Sequence, residues 1–321
     1  MRGLIVAFLL SMVQLVAFPS QVSLFVDVRD DLGRPISNAV VSVKTLNRLA
    51  IGYGTRPSHF LWASNRTDET GTTMVCFDCL TADFACYVSS ENHYPEKNLK
   101  GRYLARENSS LGMDILSPVT NMSFVLRRRI MPVPMYTFGA LSKYGMPSKE
   151  GVWGFDLKKG DWVRPRGRGE TEDFKVEYHL TQTNNNILCF GSVVFEEDGS
   201  GGYILPKVKS GMLQSSYAVD TNATFRTRFD FSARVNLSNP HDNERRDVLG
   251  EDEYLVIRSR VKVDVRGRVV SANYSKIYGP FKIGDELFFS QSSFNPEVND
   301  PNLEFDVKRN LNRRTHNAVR P

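Results

Sequence analysis

The residue types with the most chemistry to offer crowd into one stretch, Gly151 to Gly169. Trp153 and Trp162 are two of the chain's three tryptophans, and Arg164, Arg166 and Arg168 follow at alternate positions beside glycines. Two indoles give a flat surface on which a sugar ring can stack. Three guanidinium groups can hold a carboxylate or sulfate through paired N–H donors. The competing reading is structural, with tryptophans closing a core and arginines as exposed loop charge. Five carboxylates surround the same stretch: Asp156, Asp161, Glu170, Glu172 and Asp173. Two carboxylates held roughly 5–10 Å apart are enough for a glycosidase, so a polysaccharide-acting enzyme is the alternative to a binding site.

Other chemistry finds less support. His241, Asp242, Glu244 and Asp247 form the one histidine–acid cluster, in the polar run Ser238 to Gly250. That composition is also ordinary loop solvation. No G-x-S-x-G, H-E-x-x-H or cysteine–histidine frame occurs. The acidic turn Glu196 to Gly202 lacks the calcium-loop pattern with its distal glutamate. Cys76 and Cys79 have no second ligand pair of matching spacing for zinc, and no cofactor or metal is expected. Net charge is +5 over 321 residues with no nucleic-acid-binding motif, so nucleic acid is not the expected partner.

The elements that must position these residues are strands. Arg2 followed by the apolar run Leu4 to Val16 predicts a cleaved secretory leader over residues 1–20. No later stretch is apolar and long enough to span a bilayer. The expected location is therefore outside the cytoplasm: periplasm, cell surface or medium. In that oxidising compartment a disulfide is the default for cysteines. Cys76 and Cys86, on runs flanking a turn, are placed to face each other across a hairpin. Val22, Leu24, Val26 and Val28 alternate with polar residues, and Asn38 to Lys44 returns after the turn Asp30 to Pro35.

Together Val26, Val28, Asp30, Gly33, Pro35, Ile36, Asn38, Ala39, Val41 and Val43 make a hairpin that resembles the opening of the carboxypeptidase regulatory-like family, small transthyretin-like β-sandwiches. Thr67 to Gly71, the run from Thr73 to Phe77, Phe84 to Ser89 and Ser123 to Leu126 extend the resemblance over residues 21–130. Residues 46–64 and 95–120 stand out as insertions. The resemblance implies an accessory binding module with no catalytic residues. Val270 to Leu311 resembles closing segments of exported bacterial proteins that carry such a module, and implies no activity.

Arg127-Arg128-Arg129 and Pro132-Val133-Pro134 mark the exit from this domain. Residues 131–150 read as a linker or packing arm, 151–312 as an antiparallel β domain and 313–321 as a flexible tail. Phe225 to Asn236 alternates with Phe229, Phe231, Ala233 and Val235 inward. Tyr254 to Asp264 and Val269 to Tyr278 form a hairpin with Leu255, Ile257, Val261 and Val263 inward. Arg226, Arg228, Arg234, Arg258, Arg260 and Lys262 are expected to form an outward basic ridge. The fold expected is all-β, a small N-terminal β-sandwich followed by a larger antiparallel one. Its function is that of an exported, non-catalytic binding or scaffold protein, with a glycan or a cell-surface protein as partner.

Overall fold

The computed structural model describes residues 20–46, 60–79, 84–98, 119–139, 142–209, 211–312 and 319–321. Of the leader expected over residues 1–20, residues 1–19 lie outside them. The chain divides into two compact units, Met1–Arg128 and Arg129–Pro321. The described residues are all-β, with strands joined by turns and short 3-10 segments.

The first unit contains β1 (Ser20–Asp30), β2 (Val40–Leu46), β3 (Phe60–Arg66), β4 (Thr72–Cys79), β5 (Phe84–Ser89), β6 (Glu96–Asn98) and β7 (Val119–Leu126). One sheet runs β4-β1-β7 and the other β3-β2-β5-β6. The alternate apolar residues of both sheets meet in one core. Val22, Leu24, Val26 and Val28 come from β1, Val75 and Phe77 from β4, Val41 and Val43 from β2, and Phe84, Cys86 and Val88 from β5. Asp30 closes the β1 turn by accepting hydrogen bonds from the N–H groups of Leu32 and Arg34, both at 2.9 Å. At Gly71 φ is +79°, and a Cβ there would stand 2.6 Å from the Val28 carbonyl oxygen. Only glycine fits that approach.

Two expectations need correction here. The expected insertion 46–64 ends in a strand, since β3 pairs with β2 from Phe60↔Leu46 to Arg66↔Val40. Cys76 and Cys86 are free thiols. β4 pairs with β1, not with β5, and the two cysteines stand on different sheets. Cys86 lies between Phe84 and Val88 in the core, whereas Cys76 is exposed between the inward Val75 and Phe77. Their side chains therefore point in opposite senses relative to the core, and a bridge would require β4 to slip by one residue.

The second unit contains β8 (Tyr136–Phe138), β9 (Ser142–Gly145), β10 (Glu150–Asp156), β11 (Asp161–Trp162), β12 (Phe174–Gln182), β13 (Asn186–Val194), β14 (Gly201–Pro206), β15 (Arg228–Asn236), β16 (Glu244–Arg246), β17 (Glu253–Val263), β18 (Val269–Ile283) and β19 (Glu286–Phe294). One sheet has the order β11-β10-β12-β13-β15-β16. The other has β14-β17-β18-β19-β8, with β9 also on β19. The stretch 131–150 supplies β8 and β9, which both pair with β19, and so belongs to this unit's sheet. Phe155, Phe174, Val176, Phe229 and Phe231 of one sheet pack with Leu255, Ile257, Ile277, Phe281 and Phe289 of the other. The second sheet is covered on its far side as well. Tyr254, Val256, Tyr274 and Tyr278 lie there against Val219 and Leu303 from the flanking loops. Hence β18 is buried almost continuously from Ala272 to Tyr278 instead of alternating.

Candidate functional site

The tryptophan–arginine stretch is a structural node. β10 delivers Trp153 and Phe155, a turn follows, and β11 returns with Trp162 opposite Phe155. Trp162 is 4% exposed and donates from Nε1 to the Gly145 carbonyl at 2.8 Å. It stands edge-on to Phe155, with ring centres 5.3 Å apart, and to Trp153 at 6.4 Å. Trp153 is half-buried over Gly151 and packs on Tyr178 at 6.0 Å. The two indoles do meet, but inside the wall of the sandwich, and Trp162 has no face left to offer a sugar ring. Arg164, Arg166 and Arg168 are exposed. Arg168 is already engaged, with Nε 2.8 Å from Asp161.

The nearby carboxylates are occupied as well. Asp156, 1% exposed, accepts from the backbone N–H groups of Lys158 and Lys159 at one oxygen and of Glu170 and Thr171 at the other. It thereby holds both loops that flank β11. Asp173, also buried, accepts from the Leu157 N–H at 2.7 Å and the Ser259 hydroxyl at 2.6 Å. Arg260 reaches across from the other sheet, with Nε 2.9 Å from Asp173 and an Nη 2.8 Å from Asp156. Its guanidinium also lies 4.5 Å from the Phe294 ring centre. Burial pushes the Asp173 carboxyl up, against the opposing pull of Arg260 and its other donors. Glu170 and Glu172 pair with Lys159 and Lys175.

Arg260 is the one member of the expected basic ridge that turns inward. Its φ is +53°, and the β17–β18 register shifts between Ser259 and Lys262. The bulge puts Ser259 and Arg260 on the same carboxylate, so strict alternation fails at this point. The rest of the ridge is dispersed. Arg226 lies over Phe229 and Arg258 over Phe225, while Arg228 pairs with Glu177 and Asp230. In the loop before β16, Asn239 caps a 3-10 turn through its side chain. In β16 itself Arg245 pairs with Asp247. Among the described residues no group of three or more His, Cys, Asp or Glu side chains converges as metal ligands.

Of the three tryptophans the exposed one is Trp62. In β3 the inward residue is Ala63, opposite Val43, and it packs on the core. Parity then sends Trp62, Ser64 and Arg66 to the outer face. Trp62 is 59% exposed. Tyr87 reaches the same face from β5, on the far side of β2. The two rings lean together over that intervening strand, with centres 5.7 Å apart and planes at 39°. Lys44 of β2, paired with Trp62 in register, holds its ammonium 5.4 Å from the indole centre. Ser42 and Ser64, also paired, add hydroxyls beside them. The signal for this site was Trp62 itself, set in a segment whose composition did not announce a strand.

No family model matches the chain, and no curated protein matches it. Among solved structures it is similar to 3-chlorocatechol 1,2-dioxygenase from Rhodococcus opacus 1CP, at 12% identity and TM-score 0.25, over 36% of this chain and 63% of that one. It is similar to a putative carbohydrate binding protein from Bacteroides uniformis, at 8% identity and TM-score 0.19, over 88% and 99%. A DUF3823 family protein from Parabacteroides merdae gives 8% identity and TM-score 0.19, over 90% and 100%. Likenesses at these scores decide neither family nor function.

Proposed function

We propose that this chain is an exported, non-catalytic binding protein, and that it holds a glycan by stacking on Trp62 and Tyr87. The observation that carries the reading is a mostly exposed indole, braced by a second ring and a lysine, on the open face of a sheet. An exposed large aromatic in such company is a surface kept for a partner. A pyranose presents a C–H face of matching flatness and a rim of hydroxyls for Ser42, Ser64 and Tyr87. The magnitude is modest. A tryptophan offers about 150–250 Å², so at 59% exposure roughly 100 Å² is free. At about 25 cal/mol per Å² that is about 2–3 kcal/mol gross, before the cost of ordering the ligand. Binding of that size suits a repeating polymer, where many weak sites add through avidity.

The glycosidase alternative loses its supports. Its candidate carboxylates around Trp153 and Trp162 are tied to Arg260, to backbone donors or to lysines. The resemblance of residues 21–130 to carboxypeptidase regulatory-like modules points the same way, since that family supplies no catalytic residues. The test is affinity electrophoresis of the mature protein in gels containing a panel of polysaccharides, with Trp62→Ala beside the parent. At least one glycan should retard the parent, and Trp62→Ala should weaken that retardation about tenfold or more. A glycan that retards both proteins equally would place the site elsewhere.

A further inference from the structure

We infer that the far side of the β14-β17-β18-β19-β8 sheet is a peptide-binding site for an extended Arg-Pro segment, and that residues 319–321 of this chain are its occupant. The reading is independent of the Trp62 face. It starts from side chains that are costly to bury. Ile277 of β18 faces the sandwich core, so its neighbours Lys276 and Tyr278 lie on the far side. Gln291 of β19 is the register partner of Tyr278 and stands beside it. All three are buried, and Lys276 completely so. Lysine and glutamine are seldom buried, and buried polar groups are hydrogen-bonded. The Lys276 ammonium donates to the Ser215 hydroxyl at 3.0 Å and to the Tyr278 hydroxyl at 3.2 Å. Tyr278 in turn donates to the main-chain oxygen of Pro321 at 2.9 Å.

The segment is gripped by its main chain. Gln291 donates from Nε2 to the Arg320 carbonyl and accepts from the Arg320 N–H, both at 2.7 Å. One side-chain amide thereby pairs with both main-chain groups of a residue, as the facing residue of an antiparallel strand does. Pro321 is buried. A proline has no N–H, so its carbonyl is the main-chain group that burial must satisfy, and Tyr278 satisfies it. Any other residue there would carry a further donor into the site. The Arg320 side chain stays exposed, and its Nη1 donates to the Gln214 side chain at 2.7 Å. Gln291 thus fixes the backbone, the missing donor suits proline, and Gln214 reads the arginine.

The experiment uses the full mature chain and a fluorescein-labelled hexapeptide, His-Asn-Ala-Val-Arg-Pro, the sequence of residues 316–321. Binding is followed by anisotropy. A tethered occupant competes at about millimolar effective concentration, so the host carries Arg320→Gly and Pro321→Gly, which alter the occupant and leave the sheet intact. The peptide should bind this host at least tenfold more tightly than it binds the parent. Adding Gln291→Met to the host should weaken binding about tenfold or more, the effect of two lost hydrogen bonds. The same six residues in reverse order should bind at least tenfold more weakly. Hydrogen exchange gives a second reading on the parent, with its own segment unaltered. There the Arg320 amide should exchange at least tenfold more slowly than in the free peptide, and Gln291→Met should remove that protection. A host that ignores the peptide, binds the reversed one equally well or is indifferent to Gln291→Met would overturn the binding site. An unprotected Arg320 amide in the parent would overturn the assignment of 319–321 as its occupant.

Discussion

Replacing Arg260 by methionine is the sharpest test of how the second unit is held together. The substitution keeps an unbranched side chain of similar reach and removes the guanidinium from between two buried carboxylates. Asp156 is 1% exposed and Asp173 3%, so each would be left in the sandwich without its cation. Removing one partner of a buried ion pair costs about 3–5 kcal/mol. Arg260 keeps 18% of its side chain exposed, which favours the lower end, about 3 kcal/mol. For a unit of this size each kcal/mol shifts the melting temperature by about 2–4 °C. The expected fall is about 6–12 °C in the calorimetric transition of the second unit. The pH dependence carries a second signature. Without Arg260 the burial of Asp173 is opposed only by the Ser259 hydroxyl and the Leu157 N–H, and its carboxyl rises further above the ordinary value of about 3.9. A carboxyl raised in the folded state is least harmful below its unfolded pKa and costs stability as pH rises through the folded one. The deficit of Arg260→Met should therefore shrink near pH 4 and be largest at neutral pH. Adding Asp173→Asn should recover part of the loss at pH 7, because one uncompensated charge is then gone. A melting temperature within 2 °C of the parent at neutral pH would refute the assignment of Arg260 as the clamp between the sheets.

Two further measurements address the first unit. Burial pushes the Asp30 carboxyl up, but the Arg34 side chain and the backbone N–H groups of Arg34 and Leu32 outweigh it and hold the group below its usual value. A lowered carboxyl stabilises above the unfolded pKa of about 3.9 and loses that contribution as pH falls through the folded one. The urea midpoint of the first unit should thus drop below about pH 4, and Asp30→Asn should flatten that drop; an equally steep fall in the variant would show that Asp30 is not responsible. Thiol labelling separates the cysteines. Cys76 is exposed, whereas burial pushes the Cys86 thiol up to about 12. A disulfide reagent should modify Cys76 in the native protein and Cys86 only after unfolding, and a peptide containing Cys76 joined to Cys86 would contradict the strand register.

The strands were legible where one face is wet. In β1, β12 and β15 the alternation of apolar and polar residues gives both the element and its inward set, and Val22 to Val28, Phe174 to Tyr178 and Phe229 to Phe231 lie where that period puts them. The all-β class follows from the same repetition. β3 was not legible, because Phe60-Leu61-Trp62-Ala63 has no alternation and one small residue, Ala63, is all that turns inward. The pairing of β4 was not legible either, since a short turn suggests a hairpin with β5 whether or not the chain crosses to the other sheet. The candidate site was missed for the same reason. Clustering drew attention to Trp153 and Trp162, yet aromatic residues gather in sequence where a core is being built, and Trp62 stands alone.

Periodicity in the chain itself therefore determines which residues share a face, where turns must fall and that two sandwiches result. It does not say which faces find a second layer. Tertiary structure alone buries Trp162 and leaves Trp62 open, covers the far side of β18 with loops, and turns Arg260 inward at a bulge. The reason is physical: alternation is local, set by the pleat of one strand, whereas burial and charge pairing depend on what packs against it from far along the chain. A single extra residue in a strand, as between Ser259 and Lys262, reverses the parity that the sequence implies.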